Sequence, residues 1–343
     1  MRMYTDPRGK AYKQVIDLAI QNSECFVLRS HNISADCLPA EYRSVLQALE
    51  PYLLRTVTVN DGDYDGITEL SDTYHSQAFY TEGKYLFYRC CEESGEVLKR
   101  VANRLSDWIR KLPEDLCFIK EGGGDYLISV VHEHIYILCV TNEEATELME
   151  QITGLFLDIE AHRDLDRLLD DAVKHKTDWL YISGHEISEL PDRIRELTEL
   201  RYLAVFEQDL YRLPEGLFEL SKLEHLDIMT ADLERIPASI SKLKNLKILS
   251  IRCGSSDRTG FKVKPIDEIS LNYIPPEIGE LEQLERLTIQ YTSIKEIPPG
   301  LEKLQRLKVL ELRSCKIDRE PAFLKNMKEL KYIDVAQKWL WES

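Results

Sequence analysis

A single spacing constrains this chain more than any other feature: a short apolar pattern returns every 23 residues through its second half. Leu203-Ala204-Val205 aligns with Leu226-Asp227-Ile228 and with Leu249-Ser250-Ile251. The register extends back to Leu180-Tyr181-Ile182 and forward to Leu287-Thr288-Ile289, Leu310-Glu311-Leu312 and Ile333-Asp334-Val335. One step is irregular, from Leu249 to Leu287, and holds a 15-residue insertion over 254–268. Each period also carries an apolar residue followed by proline: Leu190-Pro191, Leu213-Pro214, Ile236-Pro237, Ile274-Pro275 and Ile297-Pro298, with Glu320-Pro321 as the exception. A self-similar period of this length means stacked units, each too small to cover its own apolar face.

The physical reading of one period follows from its residues. The Leu-x-Leu core is a short strand with alternate side chains buried. Proline fixes φ and lacks an N–H, so it ends the strand connection and suits the first turn of a returning helical segment. Pairs such as Leu217/Leu220, Ile240/Leu243, Ile278/Leu281 and Leu301/Leu304 have helical spacing.

These residues resemble the leucine-rich-repeat family, in its intracellular 23-residue L-x-x-L-P-x-x-I-x-x-L type, which animal, plant and many bacterial proteins carry. The resemblance covers the repeats from about Asp178 to Val335. It implies a curved solenoid with a parallel sheet on the concave face, and protein binding as the function. The position that holds Asn in the family holds His185, Gln208, Ala231, Gly254, Thr292 and Cys315 here, so an irregular set of groups is expected to satisfy the turn carbonyls. The fold class expected is therefore α/β: a repeat solenoid over 178–343, preceded by a separate α+β domain over 1–160 and a linking or capping helix over 161–177.

With Leu203 and Val205 inward, their neighbours face outward, because strand side chains alternate. Carried through the period, this places Trp179, Tyr181, Tyr202, Phe206, His225 and Met229 on the early strands. Charged and mixed residues, among them Arg252, Arg286, Glu311, Arg313 and Asp334, follow on the later ones. Aromatics, Met and Arg are the types enriched at interface centres. The candidate protein-binding residues are Tyr181, Tyr202, Phe206, Met229, Arg252, Arg286 and Arg313, with Phe261 at the tip of the insertion between Arg258, Lys262 and Lys264. Trp339-Leu340-Trp341 is expected to cover the exposed core of the last repeat.

Residues 1–160 show no repeat. Their patterning predicts helices near Pro7–Asn22, Ala40–Leu49, Glu92–Lys111 and Asn142–Ile152. Strands are predicted near Cys25–Arg29, Leu53–Val59, Tyr85–Cys90, Leu116–Ile119, Tyr126–Val131 and Ile135–Val140, and a further helix over Glu160–Lys174 leads into the repeats. The stretch from Trp108 through Pro113 and Phe118 to His132-Glu133 resembles small bacterial α/β domains of the immunity and sporulation-associated sort; the resemblance gives no residue a role.

Three constellations carry residue types suited to chemistry. Asp61, Asp63, Asp65, Gly66 and Asp72 follow the spacing of a calcium loop, but Asp72 and Thr68 depart from it and a solvated acidic turn is the expectation. His132-Glu133-His134 lacks the two intervening residues of a zinc helix, and Gly122-Gly123-Gly124 sits between strands as a hairpin connection. No cofactor, metal or catalytic residue is expected, and the protein is not expected to be an enzyme.

Charge bounds the partners. The net charge is −16. Residues 1–177 hold 19 Lys+Arg against 31 Asp+Glu, and residues 178–343 hold 25 against 29. Such a chain repels phosphate backbones and attracts basic surfaces, so a protein, with a basic one favoured by charge, is the expected partner and nucleic acid is not. With no apolar h-region at the N-terminus, no membrane-length apolar run and no CxxC pair among eight cysteines, the expectation is a cytoplasmic, bacterial adaptor with reduced thiols. Two rival readings remain: a regulatory or immunity-type inhibitor acting through the acidic N-terminal half, and an enzyme in 1–160 using the repeats to recognise its substrate.

Overall fold

Strands form in the first part of the chain where aromatic and β-branched residues alternate. They are β1 (Cys25–Ser30), β2 (Leu53–Val59), β3 (Gly83–Arg89), β4 (Glu114–Ile119), β5 (Asp125–Val130) and β6 (Ile135–Leu138). The computed structural model describes residues 1–30, 38–59, 83–133, 135–253, 264–317 and 319–335. It divides into two units, Met1–Glu160 and Ala161–Ser343. In the first unit the six strands make one sheet in the order β2-β3-β1-β4-β5-β6, each pair antiparallel. Alternation gives the sheet two apolar faces. Cys25, Val27, Val57, Val59, Tyr85, Phe87, Cys117 and Ile119 cluster on one, while Phe26 packs on Tyr88 and Phe118 on the other. The N-terminus runs along the outer edge of β6, where Met3 N–H donates to the Tyr136 carbonyl and Leu138 N–H to that of Met1.

Among the described residues, four helices accompany this sheet: α1 (Lys10–Gln21), α2 (Ala40–Leu49), α3 (Glu92–Val101) and α4 (Asn142–Gln151). Helix α4 starts with a reciprocal cap, Glu144 N–H donating to Thr141 Oγ1 and Thr141 N–H to the Glu144 carboxylate. The long helix expected over Glu92–Lys111 is not formed. It stops at Val101, Ala102 is extended, and a 3-10 turn follows at Leu105–Asp107. Local carboxylates draw the backbone away from the helix. Asp6 accepts the N–H groups of Leu105 and Ser106, and Asp107 accepts that of Asn103. The apolar residues still reach the core: Leu105 and Trp108 are fully buried, and Trp108 Nε1 donates to Tyr12 Oη.

The second unit begins with a 3-10 turn and then α5 (Leu165–Lys174), not with one helix from Glu160. Asp164 interrupts the two, its side chain accepting the N–H groups of Asp166 and Arg167. Seven strands follow: β7 (Trp179–Ser183), β8 (Tyr202–Phe206), β9 (His225–Thr230), β10 (Ile248–Cys253), β11 (Arg286–Gln290), β12 (Val309–Glu311) and β13 (Tyr332–Asp334). They form one parallel sheet in sequence order, and the register follows the 23-residue period: Leu180, Leu203, Leu226, Leu249, Leu287, Leu310 and Ile333 lie side by side. The insertion does not disturb it, since Leu249 pairs directly with Leu287.

The return segments are 3-10, not α-helical. Each spans five residues, as at Asp192–Glu196, Glu215–Glu219 and Ala238–Lys242, and each is preceded by or begins just after the proline of its period. Neighbouring strands stand about 4.8 Å apart, whereas an α-helix with side chains is about 10–12 Å wide. Narrower 3-10 turns stack closer to the spacing of the sheet. Just before the strands, charges alternate between repeats: Glu224 holds Arg201 at 2.8 Å and Lys247 at 2.6 Å, and Glu285 holds Lys308 at 2.6 Å. Each exposed pair adds little energy, but a slip by one repeat would set like charge against like.

Candidate protein-interaction surface

The outward positions of β7 to β9 gather five rings. Trp179 and Tyr202 stack at 4.9 Å and 15°, and the His225 ring meets Tyr202 edge-on at 4.4 Å. One row along, Tyr181 meets Phe206 edge-to-face at 5.1 Å. These contacts follow from the register, which sets Trp179, Tyr202 and His225 directly opposite one another. Ala204 lies beside Tyr181; its small side chain leaves room for the rings on either side, and it is fully buried. The rings themselves are half-buried, so they form a fixed patch rather than loose exposed side chains.

Arg252 closes one side of the patch. Its Nη2 donates to Asp227 at 2.9 Å, and its guanidinium lies over the Phe206 ring at 5.6 Å. To do so it reaches from β10 across β9, and this explains a correction. Met229, expected on the binding face, is only 8% exposed. It sits in register between Phe206 and Arg252 and lies beneath their contact.

The later candidates are held by neighbouring repeats. Arg286 Nη1 lies 3.6 Å from Glu311, which also accepts from Thr288 Oγ1. Arg313 donates to Asp334 at 2.6 Å and to Tyr332 Oη at 2.9 Å. The structure therefore separates the candidates: Tyr181, Tyr202, Phe206 and Arg252 belong to one patch, Arg286 and Arg313 to ion pairs farther along the sheet. Phe261 and the tip of the insertion lie outside the described residues, as do Asp61–Asp72, His134 and Trp339–Trp341. The end of the insertion is described and anchored: Asp232 accepts from Lys264 Nζ at 2.7 Å and from Ser270 N and Oγ.

Groups in the turns after the strands replace the family's Asn ladder. The Glu207 carboxylate, 2% exposed, accepts the N–H groups of His185 at 2.8 Å and Glu186 at 3.1 Å. Thr230 Oγ1 lies 2.5 Å from the Leu210 carbonyl and 3.1 Å from that of Gln208. Ser293 Oγ reaches Ile269 and Leu271, while Thr292 Oγ1 and Cys315 Sγ meet at 3.1 Å. Glu207 and Thr230 lie one position before the one the family's Asn occupies, and this offset hid them in the sequence. Thr230→Val keeps the shape but leaves carbonyls unsatisfied, so it should cost about 1–2 kcal/mol. A urea midpoint unchanged from the parent would refute that role.

Burial pushes the Cys25 thiol up to about 11 and the Cys253 thiol up to about 12, so neither supplies a thiolate near neutral pH. The seven described cysteines are free thiols. Among the described residues there is no group of side chains suited to a metal ion, and no helix is long and apolar enough to cross a membrane.

By its 23-residue register and parallel ladder, the C-terminal half is a leucine-rich-repeat solenoid. No family model matches the chain, and no curated protein matches it. Solved structures similar to it include the leucine-rich-repeat domain of the type III effector XopL, at 21% identity and TM-score 0.37, covering 51% of this chain and 70% of that one. A leucine-rich-repeat protein of Leptospira interrogans is similar at 21% identity and TM-score 0.32, covering 48% and 50%. The functional domain of InlJ from Listeria monocytogenes is similar at 20% identity and TM-score 0.36, covering 49% of this chain and 30% of that one.

Proposed function

We propose that this chain is a non-catalytic protein-binding module, a scaffold or adaptor, that engages a protein partner through the outward face of its repeat sheet and the insertion at 254–268. The observation that carries this reading is the ring patch of Trp179, Tyr181, Tyr202, Phe206 and His225 on three adjacent strands. Aromatic side chains supply large contact area with few rotors to immobilise, and a rigid sheet positions them before the partner arrives. Repeat scaffolds use their extended sheet surfaces in this way.

The test compares capture of native-cell proteins on the intact chain and on a Tyr181→Ala/Phe206→Ala variant of unchanged melting temperature. A protein held by the intact chain should be retained at least about tenfold less by the variant. Equal retention by both would place binding elsewhere on the chain and sink the proposal.

A further inference from the structure

The outward sheet face is electrically self-contained. Among the described residues of its rows the cations are Arg252, Arg286 and Arg313 and the anions Asp227, Glu311 and Asp334, and each cation holds an anion from a neighbouring strand or repeat. The chain as a whole carries −16, yet this face is neutral. A charged partner arriving here would have to open one of these pairs, exchanging one ion pair for another with no net gain. A partner with apolar or aromatic side chains meets no such exchange at the ring patch and gains the burial of its own surface.

We infer that this face takes an uncharged segment of a protein partner, with aliphatic or aromatic side chains seated on the rings of Tyr181, Tyr202 and Phe206 while the three ion pairs stay closed. The inference rests on the proposed use of the sheet face and replaces the basic partner that net charge alone suggests. Its signature is near-independence from ionic strength. Raising salt from about 0.01 M to about 1 M shortens the screening length from about 30 Å to about 3 Å, which weakens a charge-led complex and leaves an apolar one.

The experiment selects binders for the full chain from a displayed random-peptide library, then measures synthetic copies of the enriched peptides at both salt concentrations. The expected peptides carry aromatic or aliphatic residues and no charge at their recurring positions. Their affinity should change less than about threefold with salt, collapse on the Tyr181→Ala/Phe206→Ala variant, and survive on an Arg313→Gln/Asp334→Asn variant that removes one ion pair. Peptides that need Tyr181 and Phe206 but carry recurring charges and lose more than about tenfold in high salt would overturn the inference and leave the sheet-face reading standing. So would dependence on Arg313 and Asp334. Peptides that bind the ring variant as well as the parent, or no enrichment above an unrelated protein, would overturn the sheet-face reading itself.

Discussion

Gly279→Ala should destabilise the repeat unit by at least about 3 kcal/mol, although alanine favours helical backbone over glycine by about 1 kcal/mol. Gly279 sits in the five-residue 3-10 turn Pro276–Glu280, and its backbone passes against the next turn, Pro299–Lys303. A Cβ at 279 would lie 2.7 Å from the carbonyl carbon of Gly300 and nearer still to its oxygen. That atom is backbone, so no side chain can swing aside to make room. Gly300 repeats the arrangement in the other direction, its Cβ position 2.5 Å from the Pro276 oxygen. Propensity and packing predict opposite signs here, and the size of the clash decides between them. For a unit of this length the loss should lower the melting temperature by roughly 6–12 °C, while exposed Glu280→Ala should shift it little. A Gly279→Ala variant that melts within about 2 °C of the parent would show that the turns can part.

The same contact explains what the sequence revealed and what it concealed. A period of 23 residues fixes strand, order and register together, because every Leu-x-Leu unit must bury the same face against its neighbours. The seven strands accordingly lie where the period puts them, from Leu180 to Ile333. The spacing of Ile278 and Leu281 is compatible with α or 3-10 geometry, and nothing local distinguishes them. The choice is made by the distance between stacked turns, a tertiary quantity. In the N-terminal unit most elements were legible from alternation and amphipathic spacing. The helix over Glu92–Lys111 was not, because Asp6, almost a hundred residues away in sequence, supplies the carboxylate that holds Leu105 and Ser106 out of the helix.

The candidate surface was legible as a set of positions but not as a set of contacts. Alternation correctly placed Tyr181, Tyr202 and Phe206 on one face. It could not show that Arg252 crosses a strand to lie over Phe206 and bury Met229, since long side chains take their direction from their partners. Nor could it show that Arg286 and Arg313 are each held by an acid 21 to 25 residues further on. That pairing does have a sequence signal: a cation in one row followed by an anion in the same or an adjacent row of the next repeat.

Glu207→Ala should cost the repeat unit about 3–4 kcal/mol, more than most single changes at a carboxylate, because it empties a built anion site. The turn after β7 carries Gly184 at φ 79° and Glu186 at φ 54°, both left-handed. Such a turn points successive N–H groups inward as a concave nest for an anion. The Glu207 side chain from the next repeat fills it, accepting from His185 and Glu186 while only 2% exposed. Alanine would leave two N–H groups without acceptors and remove the charge that stabilises a non-glycine residue in the left-handed region. Glutamine can offer one oxygen to one N–H but turns its amide donor toward the other, so Glu207→Gln should lose roughly half as much. Aspartate keeps the charge but is one methylene shorter, and should fall between glutamine and alanine if reach matters more than charge. Urea denaturation of the four proteins gives the ranking directly. Equal midpoints for alanine and the parent would mean that solvent can satisfy the nest, and that the β7–β8 ladder and the packing of the first two repeats hold without it.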